Sequence, residues 1–167
     1  IREAECVVIN TCSFIQPAEE ESISTILDAA KLKRSGRLKR LYVTGCLPQK
    51  RKNEREDLLK LLPEVDGFLG TGDLPRLPEL IALSSCFFVA SPIPTLLFGS
   101  KTPRHRLTPA HSAYLKISEG CDHACTFCSI PQFRGPHRSR TIEDIAEEAK
   151  RLAGQGVVEL NLIGQDS

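Results

Sequence analysis

Ala113-Tyr-Leu-Lys-Ile-Ser-Glu-Gly-Cys-Asp-His-Ala-Cys-Thr-Phe-Cys128 is an apolar run that passes through a glycine into three closely spaced cysteines. Residues Ala113 to Ile117 predict a strand, and a cysteine-rich loop follows from Glu119 to about Arg140. Thr141-Ile-Glu-Asp144 then writes a helix start, an N-cap threonine with an acid three residues on, close to a capping box. Ile142, Ile145, Ala146, Ala149, Leu152 and Ala153 fall on one helical face, with Gly154 and Gly156 to close it. A strand from Val157 to Ile163 comes next. Strand, helix and strand at this interval make a βαβ unit, whose two strands pair in parallel.

Upstream the same grammar recurs. Glu5-Cys-Val-Val-Ile-Asn10 suits a buried strand. Pro17 followed by acids opens a helix that carries Ile23, Ile26, Leu27 and Ala30 at helical spacing and ends near Gly36. Leu38 to Thr44 reads as a second strand, Asn53 to Leu62 as a helix stopped by Pro63, Val65 to Leu69 as a third strand, and Leu77 to Leu83 as a helix. The alternation implies a parallel sheet with crossover helices. From Ser84 to about Ala110 the pattern dissolves into prolines and the basic stretch Lys101-Thr-Pro-Arg-His-Arg106, an interdomain linker with some strand content. The chain therefore divides into an α/β domain over 1–85, a linker over 86–110 and a second α/β domain that starts at 111 and runs to 167.

Composition narrows the function classes. The chain has 167 residues, 41% apolar and 26% charged, which is enough to bury a core and excludes disordered or collagenous classes. A net charge of +1 gives no global field toward nucleic acid or a membrane. No leader opens the sequence, and its longest apolar stretch, Cys86 to Phe98, is broken by Pro92 and Pro94, so a reducing cytoplasm and no membrane span are expected. In that setting seven cysteines in short-spaced groups point to metal ligation before disulfides. The absence of Met, with Ile at position 1, leads to the expectation of a piece of a longer chain.

Cys121, Cys125 and Cys128 form C-x3-C-x2-C. Three thiolates on one short loop wrap a single small metal site but fall one ligand short of a closed structural zinc site. A 4Fe-4S cluster on three cysteines leaves one iron open for an exogenous group. His123 offers zinc a fourth ligand, although from inside the tight loop. A non-catalytic zinc-binding module of Cys121, Cys125, Cys128 and His123 is therefore the alternative reading.

The C-x3-C-x-aromatic-C form on a loop after a strand resembles the radical S-adenosylmethionine enzymes. Tyr114-Leu-Lys-Ile-Ser-Glu-Gly-Cys121, Ile130-Pro131, Arg134-Gly135, Ser139-Arg140 and Leu160-Asn-Leu-Ile-Gly-Gln-Asp166 narrow the resemblance to the methylthiotransferase branch over nearly the whole chain. The Gln165-Asp166 ending is similar to the type that acts on a ribosomal protein, since the transfer-RNA type usually carries Gln-Asn there. The resemblance implies an N-terminal methylthiotransferase domain followed by the first βαβ part of a partial TIM-type barrel. It implies that Cys121, Cys125 and Cys128 hold a 4Fe-4S cluster whose open iron chelates S-adenosylmethionine, and that Phe127 lies near the adenine. By the same resemblance, cleavage of S-adenosylmethionine gives a radical that takes hydrogen from the acceptor, and a methylthio group replaces it. The implied acceptor is an aspartate of small-subunit ribosomal protein twelve, with a transfer-RNA adenosine as the alternative. An electron donor such as flavodoxin or ferredoxin is implied as a partner.

The family also carries an auxiliary 4Fe-4S cluster on three cysteines of its first domain. Cys12, in Asn10-Thr-Cys-Ser-Phe-Ile15, and Cys46, in Thr44-Gly-Cys-Leu-Pro48, stand where its second and third ligands are expected. Strand order selects the same pair, because each cysteine follows the carboxyl end of a predicted parallel strand, where open α/β sheets gather ligand sites. By the resemblance the first ligand would precede Ile1, and the barrel would continue beyond Ser167. Cys6 and Cys86 read as core or bystander residues. Lys31 to Arg40 and Lys50 to Arg55 read as solvated helix ends. The run Arg134-Gly-Pro-His-Arg-Ser-Arg140 either meets S-adenosylmethionine or substrate, or caps the loop. On the last strand Glu159 and Asn161 share a face opposite Val158, Leu160 and Leu162, which would turn them toward the barrel interior.

Overall fold

The computed structural model describes residues 4–82 and 86–166, and the chain falls into two compact units, 1–94 and 95–167. In the first, strands β1 (Cys6–Thr11), β2 (Arg40–Gly45), β3 (Gly67–Leu69) and β4 (Phe87–Val89) form a parallel sheet in the order β1-β2-β3-β4. Helices α1 (Gln16–Arg34), α2 (Cys46–Lys50), α3 (Arg55–Leu61) and α4 (Leu77–Ile81) lie in the crossovers. The helix predicted over Leu77 to Leu83 reaches its last position among residues outside the described ones.

The core lies on one sheet face. Ile26, Ala29 and Ala30 of α1 and Leu58 of α3 bury against Leu41 and Val43 of β2 and Phe68 of β3. Alternation sends Tyr42 to the other face, where its ring stacks on Phe87 at 5.8 Å. Gly67 pairs with both Tyr42 and Phe87 in the ladder. A β carbon at Gly67 would stand 2.3 Å from the Phe87 ring, so the missing side chain is what lets that ring lie across β3.

Two expectations change here. Residues 87–89, expected within the linker, pair with β3 and extend the sheet, which carries the first unit to residue 94. The strand at Cys6–Thr11 is not fully buried: it occupies the sheet edge, with Val7 and Ile9 packed on the core while Cys6, Val8 and Asn10 are exposed.

In the second unit β5 (Ser112–Lys116) pairs in parallel with β8 (Glu159–Ile163) through α6 (Ile142–Gly154). Between β5 and α6, β6 (Ser118–Glu119) and β7 (Arg138–Ser139) form a short antiparallel ladder, and α5 (Ile130–Arg134) lies within the loop they close. Thr141 caps α6 by accepting from the Asp144 N–H at 3.3 Å. The apolar face read for α6 is wrong at its start, where Ile142 is 81% exposed. The residues α6 buries are Leu152, against Ala113 and Val157, and Glu148, whose charge is matched by arginines described below. Ser112 and Tyr114 share a face with Glu159 and Asn161, opposite the buried Ala113 and Leu115. Asn161 donates to the Ser112 hydroxyl and to Glu159, so the polar residues of β8 do turn away from α6.

Candidate functional site

The cysteine loop is tied at its base from three directions. The β6–β7 ladder pairs Ser118 with Ser139 and Glu119 with Arg138. The Cys121 N–H donates to the Gly135 carbonyl at 3.2 Å. From the end of β8, Gln165 Oε1 accepts the Gly120 N–H at 2.9 Å, and the Asp166 carbonyl accepts the Ser118 hydroxyl at 2.5 Å. Gly120 has φ +80°, and a β carbon there would stand 2.1 Å from the Pro136 carbonyl oxygen, so only glycine lets the two sides of the loop meet.

The basic run closes this loop. Arg134 pairs with Glu119 at 3.0 Å, and Arg138 donates to the carbonyls of Pro136 and Arg134. Arg140 is buried and donates to Asp144, Glu148 and the Lys116 carbonyl at 2.6, 2.6 and 2.7 Å. Burial opposes the Arg140 charge, but its bonds to Asp144 and Glu148 prevail and raise its pKa. Arg104 binds Glu148 from the other side at 2.9 Å. Asp144 is held at about 2, first by hydrogen bonds from Ser100 and then by Arg140. These arginines cap the loop and anchor it to α6, the second of the two readings of the run.

Above that base the three cysteines differ in exposure: Cys121 is buried, Cys128 half-buried and Cys125 exposed. The Cys128 N–H donates to the Cys125 carbonyl, and the His123 N–H lies 3.5 Å from Cys121 Sγ. Phe127 is 89% exposed and plugs no core. That role belongs to Phe133, 2% exposed, which roots α5 and with it the far end of the loop. Three soft thiol donors on a loop pinned at both ends, with an exposed aromatic among them, suit an iron–sulfur cluster.

In the first unit Thr11 pairs with Gly45, so the next residue on each strand, Cys12 and Cys46, leaves the same carboxyl edge from adjacent strands. Gly45 has φ +101°, and a β carbon there would stand 2.5 Å from the Thr11 carbonyl oxygen. The Thr11 hydroxyl donates to the Thr44 carbonyl at 2.6 Å and accepts from the Leu47 N–H, which fixes the turn into α2. Ser22 of α1 holds Cys12 through its N–H and carbonyl. Cys46 is buried and Cys12 exposed. Cys6 and the residue before β4, Cys86, sit at the opposite, amino edge, about 20 Å away along a strand, so neither reaches this pair. Among the described residues the edge offers two thiols.

Lys50 and Arg51 are not solvated helix ends. Both bind Glu19 of α1, at 2.7 and 2.8 Å, and Ser13 donates to the same carboxylate at 2.6 Å. Burial alone would raise the Glu19 pKa, but the bonds from Lys50, Ser13 and Arg51 bring it down to about 2. This knot ties the Cys12 loop, α1 and α2 together.

One further side chain, outside the cysteine motif, reaches the cysteine loop. Asp166 places a carboxylate oxygen 3.9 Å from Cys121 Sγ and 3.3 Å from His123 Nε2. Its signal was positional, since it follows the strand that pairs with β5.

Residues 1–70 match the uncharacterized protein family UPF0004, and residues 115–167 match the radical SAM superfamily. The chain is 50% identical over 164 residues to the ribosomal protein uS12 methylthiotransferase RimO of Myxococcus xanthus, covering 98% of this chain and 34% of that protein. It is 48% identical to the RimO of Anaeromyxobacter sp. strain K, with the same coverage, and 47% identical over 171 residues to that of Pelobacter propionicus, covering 99% of this chain and 37% of that protein. The chain is similar to radical S-adenosylmethionine methylthiotransferases. It spans about a third of the length of the curated relatives it matches. For a methylthiotransferase of this superfamily, a 4Fe-4S cluster and S-adenosylmethionine are the implied cofactors. Among the described residues no helix is long and apolar enough to cross a membrane.

Proposed function

We propose that this chain is part of a cytoplasmic enzyme that adds a methylthio group to the β carbon of an aspartate of small-subunit ribosomal protein twelve, the uS12 of its relatives' names. The observation that carries the reading is the 50% identity to a uS12 methylthiotransferase over 98% of the chain. The relatives' names favour neither the transfer-RNA acceptor nor a zinc module as its function.

In this reading Cys121, Cys125 and Cys128 hold a 4Fe-4S cluster, and Cys12 and Cys46 supply two ligands of an auxiliary one. A cluster held by Cys121, Cys125 and Cys128, with S-adenosylmethionine bound, would provide one-electron radical chemistry, with a flavodoxin or ferredoxin as the electron donor. The chain's own residues do the positioning. The His123 N–H is directed at Cys121 Sγ at 3.5 Å and helps to fix the position of that sulfur. Exposed Phe127 offers a face for the adenine, and Arg134 and Arg140, spent on Glu119, Asp144 and Glu148, keep the loop in place. Residues 1–94 serve the auxiliary cluster, and 95–167 belong to the radical-generating domain.

The test is anaerobic reconstitution with iron and sulfide, followed by mass spectrometry of uS12 incubated with S-adenosylmethionine, reductant and a protein that contains the chain at its relatives' full length. Brown cluster absorbance reduced by Cys125→Ala, with a smaller separate loss in Cys12→Ala, and a methylthio mass gain on uS12 are the expected results. Absorbance unchanged by Cys125→Ala, or mass gain on transfer RNA in place of uS12, overturns the reading.

A further inference from the structure

Cys121 Sγ, His123 Nε2 and an Asp166 carboxylate oxygen all lie within 4.8 Å of one another. They come from both strands of the βαβ unit: Cys121 and His123 follow β5 and β6, and Asp166 follows β8. The spacing is that of ligands around one ion. Zinc bonds of about 2.0 Å to a carboxylate oxygen, about 2.05 Å to an imidazole nitrogen and about 2.3 Å to a thiolate, at tetrahedral angles, set N and O about 3.3 Å apart and S and O about 3.5 Å apart. His123 Nε2 stands 3.3 Å from Asp166 Oδ2, and Cys121 Sγ stands 3.9 Å from the same oxygen. The first separation is also that of a direct ion pair between His123 and Asp166. The second closes with a small side-chain rotation.

The donor set is as telling as the distances. One thiolate, one imidazole and one carboxylate are zinc's own ligand types, and three protein ligands leave a fourth position for water. Neither Cys125 nor Cys128 belongs to the group. The site therefore differs from a zinc site on the three loop cysteines, and it shares a single ligand, Cys121, with the cluster.

We propose that the cluster-free chain binds one Zn(II) through Cys121, His123 and Asp166, and that zinc bound there excludes cluster assembly on the loop because Cys121 is common to both. The zinc site rests on side-chain geometry, the competition rests also on the cluster reading above, and neither depends on the acceptor. Zinc becomes a competitor for the chain before iron arrives, and a chelator becomes the condition for loading it.

The experiment titrates the reduced, metal-free chain with Co(II) and then Zn(II) under anaerobic conditions. One equivalent should bind, with tetrahedral Co(II) absorbance and a thiolate charge-transfer band for one sulfur, and Zn(II) should displace it. Asp166→Asn, which keeps the side-chain shape, and His123→Ala, an exposed site, should each weaken Zn(II) binding about tenfold or more. Cys121→Ser should abolish the charge-transfer band, whereas Cys125→Ser and Cys128→Ser should leave affinity within about twofold. Zinc-loaded chain should acquire iron–sulfur absorbance only after a chelator is added. Circular dichroism of each variant checks that it is folded. The proposal is overturned if folded Asp166→Asn binds zinc like the parent, if Cys125→Ser or Cys128→Ser abolishes binding, or if no equivalent binds at all.

Discussion

The Arg140 guanidinium donates to the Glu148 carboxylate at 2.6 Å while both side chains are almost wholly buried, at 2% and 4% exposure. The pair joins the residue before the Thr141 cap of α6 to the middle of that helix, underneath the cysteine loop. Arg140→Ala leaves Glu148 with Arg104 at 2.9 Å and Arg151 at 3.8 Å. Urea denaturation should show a loss of about 3 kcal/mol, the cost of stranding one member of a buried ion pair. A change below about 1 kcal/mol would mean that Arg104 and Arg151 carry the charge without Arg140.

Glu19 ties acid stability to the first unit. Its folded pKa of about 2 lies below the ordinary value of 4.5, so its stabilisation is fully present above pH 4.5 and is lost as pH falls through the folded value. Glu19→Gln should therefore cost about 1–3 kcal/mol at pH 7, since it leaves Lys50, Arg51 and Ser13 without their carboxylate. The difference from the parent should shrink between pH 4.5 and 2. Denaturation curves across that range measure it, and a pH-independent gap would assign the loss to packing.

Phe127 and Phe133 lie on one loop and separate two functions. Phe133→Ala should destabilise the chain by about 3–5 kcal/mol, as for a buried aromatic. Phe127→Ala should shift stability by no more than about 0.5 kcal/mol, because the ring is exposed, yet weaken S-adenosylmethionine binding to the reconstituted protein. Thermal melting and equilibrium dialysis, run on the same preparations, distinguish the two.

Gly120→Ala should open the base of the cysteine loop. The added methyl group meets the carbonyls of Gly135 and Pro136 and forces φ +80° on a residue that resists it. Iron content per chain after reconstitution should fall severalfold, with the Cys121 N–H bond to Gly135 broken. Full iron loading at parental stability would show that the loop tolerates a wider base.

The regular elements were legible because their signals are local. The Pro17 helix, the strand leading to Cys46 and the Thr141 cap are each written within a few residues, and all three form near their expected positions. Short elements were not legible. Helix α2 begins at Cys46 directly from a strand and contains Pro48, and α5 lies in a loop beside Pro131, so neither has an apolar period long enough to read. Strand β4 is three residues beside a proline-rich stretch, and only its partner β3 makes it a strand. The charge network was hidden for a related reason. Lys50 and Arg51 look solvated until Glu19, some thirty residues away, is folded against them. Glu148 sits at a helical position that patterning assigns to an apolar residue, and Arg140 with Arg104 makes its burial possible. Cysteine spacing revealed the loop, but the approach of Asp166 to Cys121, across 45 residues, needed the parallel pairing of β5 with β8.

That sequence separation carries a consequence in time. During synthesis Cys121, Cys125 and Cys128 leave the ribosome together, well before the Gln165 and Asp166 that fasten Gly120 and Ser118 from the end of β8. The cluster's thiols are thus available on a nascent loop, whereas the third zinc ligand arrives 45 residues after the first. In order of synthesis the three cluster thiols are complete before the group of Cys121, His123 and Asp166 is.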